Sequence, residues 1–186
     1  MRSTTWYVIQ VQTGKEEAMG KRIEQACSDV AKEAEAGERI LKECFSPRYV
    51  YQHKRKGEWV DEDMLLLPGY LIAVTDDPWC LLEILKGIPE FTKLLAMGET
   101  FAPLNETEKS WIERWTKEGD RAIPMSIAYK EGDRVVVTDG PLKGQEALIT
   151  RVNRRKSVAH LEIHAGQMTI HTTVGLAVLP QRDGTS

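Results

Sequence analysis

Between Asp133 and Pro180 the chain shows no helical period. DRVVVTDG, QEALITRVN, VAHLEIHA, MTIHTTV and GLAVLP are five short apolar and β-branched runs, each closed by turn residues. Strands this short and this closely spaced predict a small β-barrel. A module of that size buries a modest core, so its surface, and not a deep pocket, is where binding is expected.

The sequence ahead of it alternates two periods. WYVIQVQ (Trp6–Gln12) has the aromatic and β-branched content of a strand, closed by Thr13-Gly14. From Lys15 the spacing changes to three and four residues, through Met19, Ile23, Ala26/Cys27, Val30 and Ala34, which predicts a helix with one apolar stripe and a stop near Gly37. ECFSPRYVYQHKRKGEWVDEDMLLLPGYLIAV reads as strand, basic turn, strand, Pro-Gly break, strand, and the turn carries His53, Lys54, Arg55, Lys56 and Gly57. DDPWCLLEILKG has helix start and stop signals at Asp-Asp-Pro and Gly. FTKLLAM is a short strand, and LNETEKSWIERW opens with Asn105 as N-cap and Glu108 three residues later, as in a capping box. The order β-α-β-β-β-α-β-α describes an α+β sandwich with helices on an antiparallel sheet. Thr116–Asp133 lacks a period and contains Gly119 and Pro124, so a linker is placed in it, with a first domain over 1–117, the linker over 118–129 and a second domain over 130–182.

Charge follows the same division. The chain carries 25 Lys+Arg and 28 Asp+Glu, a net charge of -3. From Lys130 onward, however, eight basic residues face six acidic ones, so the C-terminal piece is mildly positive and the rest acidic. Such a split permits different partners for the two halves. No apolar run reaches the ~18–20 residues that cross a bilayer. The N-terminus reads straight into a strand without a signal-peptide core. Cys27, Cys44 and Cys80, odd in number and scattered, fit reduced thiols in a cytoplasmic protein better than a disulfide framework; the protein is expected to be a monomer.

Four passages, in order, resemble the NusG family of transcription elongation factors, in which an N-terminal NGN domain is joined to a C-terminal KOW domain. WYVIQVQTGKEE resembles the family's opening strand and the start of its first helix. LLLPGYLIAV resembles its Phe-Pro-Gly-Tyr-Val signature, and GIPEFTKLL with FAPLNETE its Val-Pro…Pro passage. EGDRVVVTDGPLKGQEALITRVN resembles the KOW motif. The resemblance implies an α/β NGN sandwich with an antiparallel sheet, then a five-stranded SH3-like KOW barrel, no enzymatic activity and no cofactor. It further implies an apolar surface for the β′ clamp helices of RNA polymerase, formed by Leu67, Pro68, Gly69, Tyr70, Ile72 and Ile112. For each of these, an ordinary core position is the alternative.

Two departures bear on partners. Leu67 replaces the usual aromatic before Pro-Gly-Tyr. HAGQM (His164–Met168) stands where housekeeping members commonly carry Phe-Gly-Arg, residues that help the KOW domain reach ribosomal protein S10 or Rho. The compact GPLKGQEALITRVNRRK is instead similar to LoaP-type paralogues, processive antiterminators that recognise a hairpin in nascent RNA. Lys143, Arg151, Arg154, Arg155 and Lys156 are therefore the candidate RNA-binding residues, since guanidinium pairs with phosphate and folded RNA is read through shape and backbone. Their alternative is a solvated basic loop. Lys54, Arg55 and Lys56 are candidates for contact with upstream DNA or nascent RNA, against a solvated hairpin tip. His160 and His164 lie four residues apart, about 13 Å along a strand, which does not make one metal site without a bend. Zinc, P-loop and nucleophile-elbow motifs are absent.

Overall fold

The computed structural model describes residues 5–33, 39–90, 92–94, 96–97, 100–101, 103–132, 134–165 and 168–180. The elements, in order, begin with β1 (Thr5–Val11), α1 (Glu16–Glu33), β2 (Glu43–Phe45), β3 (Arg48–Arg55), β4 (Glu58–Leu65), β5 (Tyr70–Thr75) and α2 (Pro78–Lys86). There follow β6 (Thr92–Leu94), β7 (Ala96–Met97), β8 (Thr100–Phe101), α3 (Glu106–Trp115), β9 (Ala122–Ile123) and β10 (Ser126–Glu131). The chain closes with β11 (Arg134–Asp139), a 3-10 turn (Glu146–Leu148), β12 (Ile149–Asn153), β13 (Val158–Ala165) and β14 (Met168–Leu179). The chain is thus a mixed α+β protein with three helices among the described residues. It divides into two compact units, Met1–Pro47 with Leu67–Ser110, and Arg48–Leu66 with Trp111–Ser186.

In the first unit an antiparallel sheet of order β2-β5-β1-β6 carries α1 and α2. Ile9 and Val11 of β1 and Leu71 and Ala73 of β5 face Met19, Ile23 and Cys27 of α1 and Leu81 and Leu85 of α2 in one core. The α1 residues recur every four positions, so they stack along a single face. The expected stripe ends there: Val30 is 37% exposed, and Ala34 and the stop at Gly37 lie outside the described residues. The second helix starts as its sequence predicts. Pro78 occupies the first turn and the Asp77 carboxylate accepts the Cys80 N–H at 2.9 Å, satisfying a donor the helix leaves unpaired.

The opposite face of the sheet is also apolar. Trp6 lies across from Val74 and Val8 across from Ile72, while Phe45 of β2 flanks Ile72 from its other side. Trp6 and Phe45 meet edge to face, and the Lys109 ammonium sits 5.8 Å from the Trp6 ring. β5 is therefore apolar on both faces, as expected of a central strand packed from both sides.

In the second unit β3 pairs antiparallel with β4 and parallel with β9, and a five-stranded sheet runs β11-β10-β14-β13-β12. Five strands are expected from the sequence, but the structure assembles them differently. MTIHTTV and GLAVLP are one continuous twelve-residue strand, β14. Gly175 lies within this strand, and glycine is required there because a Cβ would overlap the Val50 carbonyl oxygen of β3. The missing fifth strand is β10, which with β9 occupies much of the stretch read as linker. Ser126 and Ala128 point inward, at 1% and 0% exposure, and pair with Leu176 and Val178. Alternation over only six residues, just after Pro124, leaves this strand without a clear period in the sequence. QEALITRVN likewise begins as a 3-10 turn, and only Ile149–Asn153 is strand.

Gly140 and Pro141 turn the chain from β11 toward the interior. Gly140 has φ +89°, and a Cβ would stand 2.6 Å from the Ser126 Cα. Only glycine meets both conditions. Beyond it Leu142 is fully buried, its N–H bound to Ser126 Oγ at 3.1 Å.

Candidate interaction surfaces

The Pro-Gly break is a tight turn joined to the helix start. Tyr70 N–H bonds back to the Leu67 carbonyl at 3.2 Å, with Pro68 and Gly69 between them. Gly69 has φ +84°, so the turn has proline at its second position and glycine where φ is positive, the type II pattern. The Gly69 carbonyl accepts Val11 N–H at 2.9 Å and its N–H donates to Glu16 Oε1 at 2.7 Å. Glu16 Oε2 accepts Gly14 N–H at 2.9 Å. One carboxylate, 3% exposed, therefore ties the end of β1 and the Pro-Gly turn to the start of α1. Burial alone would raise its pKa, but bonds from the amides of Glu16, Gly69 and Gly14 outweigh that and hold it below the usual carboxylate range.

The six residues expected to form an apolar surface are not alike in exposure. Pro68 is exposed, and Leu67 and Tyr70 are half-buried. Gly69 is buried under the Glu16 contact. Ile72 and Ile112 are 1% and 2% exposed, and Ile112 belongs to the second unit. Exposure thus separates Leu67, Pro68 and Tyr70 from Gly69, Ile72 and Ile112. Strand alternation correctly puts Ile72 on the face of Tyr70, but it does not reveal that β5 is covered on both sides.

The basic residues after the Gly-Pro turn are all exposed. Lys143 lies in the turn that leads toward β12; Arg151 is on β12, opposite His160; Arg154, Arg155 and Lys156 form the turn that leaves it. That turn is fixed by local hydrogen bonds, one to a side chain and one within the backbone. Asn153 Oδ1 accepts Lys156 N–H at 3.1 Å, Ser157 N–H reaches the Arg154 carbonyl at 3.3 Å, and Ser157 takes φ +51°. Lys143 and the 154–156 group thus belong to different turns, one before and one after β12 in the chain. Among the described residues none of the five makes an ion pair.

Lys54, Arg55 and Lys56 are likewise exposed. Lys54 is on β3, directly across from Trp59. Arg55 and Glu58 close the ladder around Lys56 and Gly57, whose φ values are +52° and +91°.

His160 lies beside Thr173, Nδ1 to Oγ1 3.2 Å, and His171 lies 3.7 Å from Glu162. No group of three or more His, Cys, Asp or Glu side chains among the described residues is arranged to hold a metal ion. Of HAGQM, residues 166–167 and the side chains of His164, Ala165 and Met168 lie outside the described parts of the chain. No helix among the described residues is long and apolar enough to cross a membrane.

These elements carry a family signature that spans most of the sequence. The family model described as "Transcription termination factor nusG" matches residues 4–113, and that of the KOW motif matches residues 131–162. The chain belongs to the NusG family. Relatives named "Transcription termination/antitermination protein NusG" include that of Campylobacter jejuni, 26% identical over 88% of this chain and 89% of the relative. The NusG protein of Chlamydia pneumoniae is 30% identical over 73% of this chain and 71% of its own length. A solved structure described as "Domain interaction in Thermotoga maritima NusG" aligns over 94% of both chains at 14% identity, with a TM-score of 0.47. In NusG terms, Gly14-Lys15-Glu16 and Leu67–Tyr70 fall within the first matched region, and Gly140-Pro141 with the 151–156 group within the second.

Two residues escape a sequence search. Glu16 reads as an ordinary first-turn acid, and only the positive φ of Gly14 and Gly69 explains why two amides converge on it. Trp59 sits amid acids, and nothing in its neighbourhood shows that it lies across from Lys54 until the hairpin register is known.

Proposed function

We propose that this NusG-family protein is a transcription elongation factor of the processive antiterminator kind, similar to the LoaP-type paralogues. Residues 1–117 serve as an NGN domain that holds RNA polymerase, and residues 130–182 as a KOW domain that binds a hairpin in the nascent RNA. The five-stranded sheet is the KOW barrel of SH3-like type. The single observation that carries the RNA reading is the turn Arg154-Arg155-Lys156. It is exposed, conformationally fixed by Asn153 and Ser157, and free of ion pairs among the described residues. With Arg151 on the strand behind it and Lys143 in the turn leading toward that strand, it offers guanidinium groups to phosphate without first breaking internal bonds.

On the polymerase side, Leu67, Pro68 and Tyr70 are the members of the apolar set within reach of the β′ clamp helices. Ile72 and Ile112 are buried here and would have to be uncovered to touch a partner. Linking two binding modules raises the effective concentration of the second ligand once the first is held. A clamp held closed in this way opposes pausing, and no bond chemistry is asked of the protein.

The test is a gel-shift with the leader RNA of an associated operon, beside a pull-down with ribosomal protein S10. Charge reversal at Arg154 and Arg155 should abolish hairpin binding and lower the salt slope by about 0.7–0.9 for each phosphate the protein no longer neutralises. Unchanged RNA affinity overturns the reading. The relatives' own name favours a second one, a housekeeping NusG-like factor; on that reading the KOW domain binds a protein partner such as S10 or Rho. Capture of S10 by both the parent and the charge-reversed protein, with no RNA shift, selects it.

A further inference from the structure

The β3–β4 hairpin separates its charges along its length. Near the base and middle the carboxylates are occupied: Arg48 donates to Asp63 at 2.6 Å, Tyr51 OH to Glu62 at 2.8 Å and Gln52 Nε2 to Asp61 at 2.7 Å. At the tip the cations are not. Lys54, Arg55 and Lys56 are exposed, and none of them makes an ion pair among the described residues. The acidic residues along the body of this hairpin are thus already bonded, and the basic residues at its tip are available.

Beside those cations stands an indole. Trp59 is 57% exposed, in direct register with Lys54, whose ammonium lies 5.2 Å from the ring centroid. A tryptophan held this far open on an outer strand loses hydrophobic stabilisation it would gain by burial. The ammonium engages the ring electrostatically, and more than half of the residue stays open to a ligand. Open aromatic surface flanked by cations without ion-pair partners is the combination that binds an unpaired base and its neighbouring phosphates. An acidic peptide would satisfy the cations and leave the ring unused. A basic one would be repelled by Lys54, Arg55 and Lys56, which outnumber Glu58, the acidic residue at the tip.

We propose that the tip of this hairpin is a binding site for single-stranded nucleic acid. One base stacks on the open surface of Trp59, and Lys54, Arg55 and Lys56 hold the phosphates on either side. The site is distinct from the 151–156 turn and does not depend on the RNA reading of that turn. Base-paired nucleic acid fits it poorly, because stacking on Trp59 requires a base that is free of its own stack.

The experiment uses the full chain carrying Arg154→Glu and Arg155→Glu, so that the other basic turn contributes no affinity. A short oligothymidylate is titrated by fluorescence anisotropy against this protein and against the same protein with Trp59→Phe, Trp59→Ala or Lys56→Ala. Trp59→Phe should retain most of the affinity and Trp59→Ala lose roughly tenfold, the effect of removing one stacked base. Lys56→Ala should lower the salt slope by about 0.7. Photocrosslinking with a 5-iodouracil-substituted oligothymidylate should place the adduct on Trp59. Because these side chains are exposed, circular dichroism should show all variants folded. Equal affinity for Trp59→Ala and Trp59→Phe overturns the proposal, as do crosslinks confined to other parts of the chain. A duplex of equal length that binds as tightly as the single strand overturns it as well.

Discussion

The Glu16 carboxylate accepts the backbone N–H of Gly69 across 53 residues of sequence, at 2.7 Å, in a buried site. Because it also takes Gly14 N–H, removing it strands the buried Gly69 amide and leaves the Gly14 amide, at an exposed residue, to water. A buried amide left without its acceptor costs about 1–3 kcal/mol, so Glu16→Ala should destabilise by about that much in urea unfolding at neutral pH. The pH dependence has a definite sign. The folded carboxyl titrates below its ordinary range, so its contribution is complete above the unfolded value of about 4.3 and is lost as pH falls through the folded value. Stability measured from pH 5 down to pH 2 should fall more steeply for the parent protein than for Glu16→Gln. Parallel curves would show that the carboxylate is not held as described.

Tyr70 and Ile72 share a face of β5 but should behave oppositely on substitution. Ile72 is 1% exposed, so Ile72→Ala should cost about 2–5 kcal/mol and lower the melting temperature. Tyr70→Ala, half-buried at the end of the Pro-Gly turn, should leave the fold within about 1 kcal/mol and weaken polymerase binding. A pull-down with RNA polymerase read beside a thermal melt distinguishes the two effects.

Gly140→Ala should be among the most damaging single changes in the second unit. It combines a positive φ with a Cβ that would meet the Ser126 backbone and the Met125 carbonyl, at 2.6 and 2.8 Å. Strain and displacement together predict a loss above about 2 kcal/mol, read as a fall in denaturation midpoint. Arg154→Glu with Arg155→Glu, at an exposed turn, should move the same midpoint by no more than about 0.5 kcal/mol per site.

The three thiols should separate by accessibility. Cys27 and Cys44 are buried and Cys80 is half-buried. Burial, with the nearby Cys80 and Glu24, pushes Cys27 up to about 11. Burial likewise raises Cys44 far above the ordinary thiol range. Thiolate is the reactive form, so labelling of the native protein at pH 8 should modify Cys80 first. Cys27 and Cys44 should react only on unfolding. Simultaneous labelling of all three in native buffer would contradict the packing of α1 against the sheet.

What is legible in the sequence is whatever depends on neighbours within a few residues. The Asp77-Pro78 helix start, the four-residue stripe of Met19, Ile23 and Cys27, the β3–β4 hairpin and the Leu67–Tyr70 turn are all local patterns, and each stands in the structure. What is not legible depends on distant partners. β10 has a local partner in β11 but is made an inner strand only by Leu176–Leu179, about fifty residues on. Gly175 reads as a break but is there because the Val50 carbonyl needs the space, within a strand held by β13 and β10. Composition singles out the basic candidates, but it does not show that β12 separates Lys143 from Arg154. Alternation puts Ile72 on the face of Tyr70 and is silent about what covers that face.

The continuous strand β14 has a consequence for how the second unit comes to exist. It pairs with β13 over Met168–Gly175, pairs in parallel with β10 over Leu176–Leu179, and packs near β3 of the hairpin. Every strand it joins precedes it in the chain. Until Met168–Leu179 has been made, β10 and β13 each present an unpaired edge, and the β3 backbone at Val50 lacks the strand that packs against it. Such edges invite pairing between chains, and long-range closures of this kind are slow. A chain truncated before Met168 should therefore aggregate instead of folding in part. The nascent protein has its greatest need of protection in the interval before that one strand arrives.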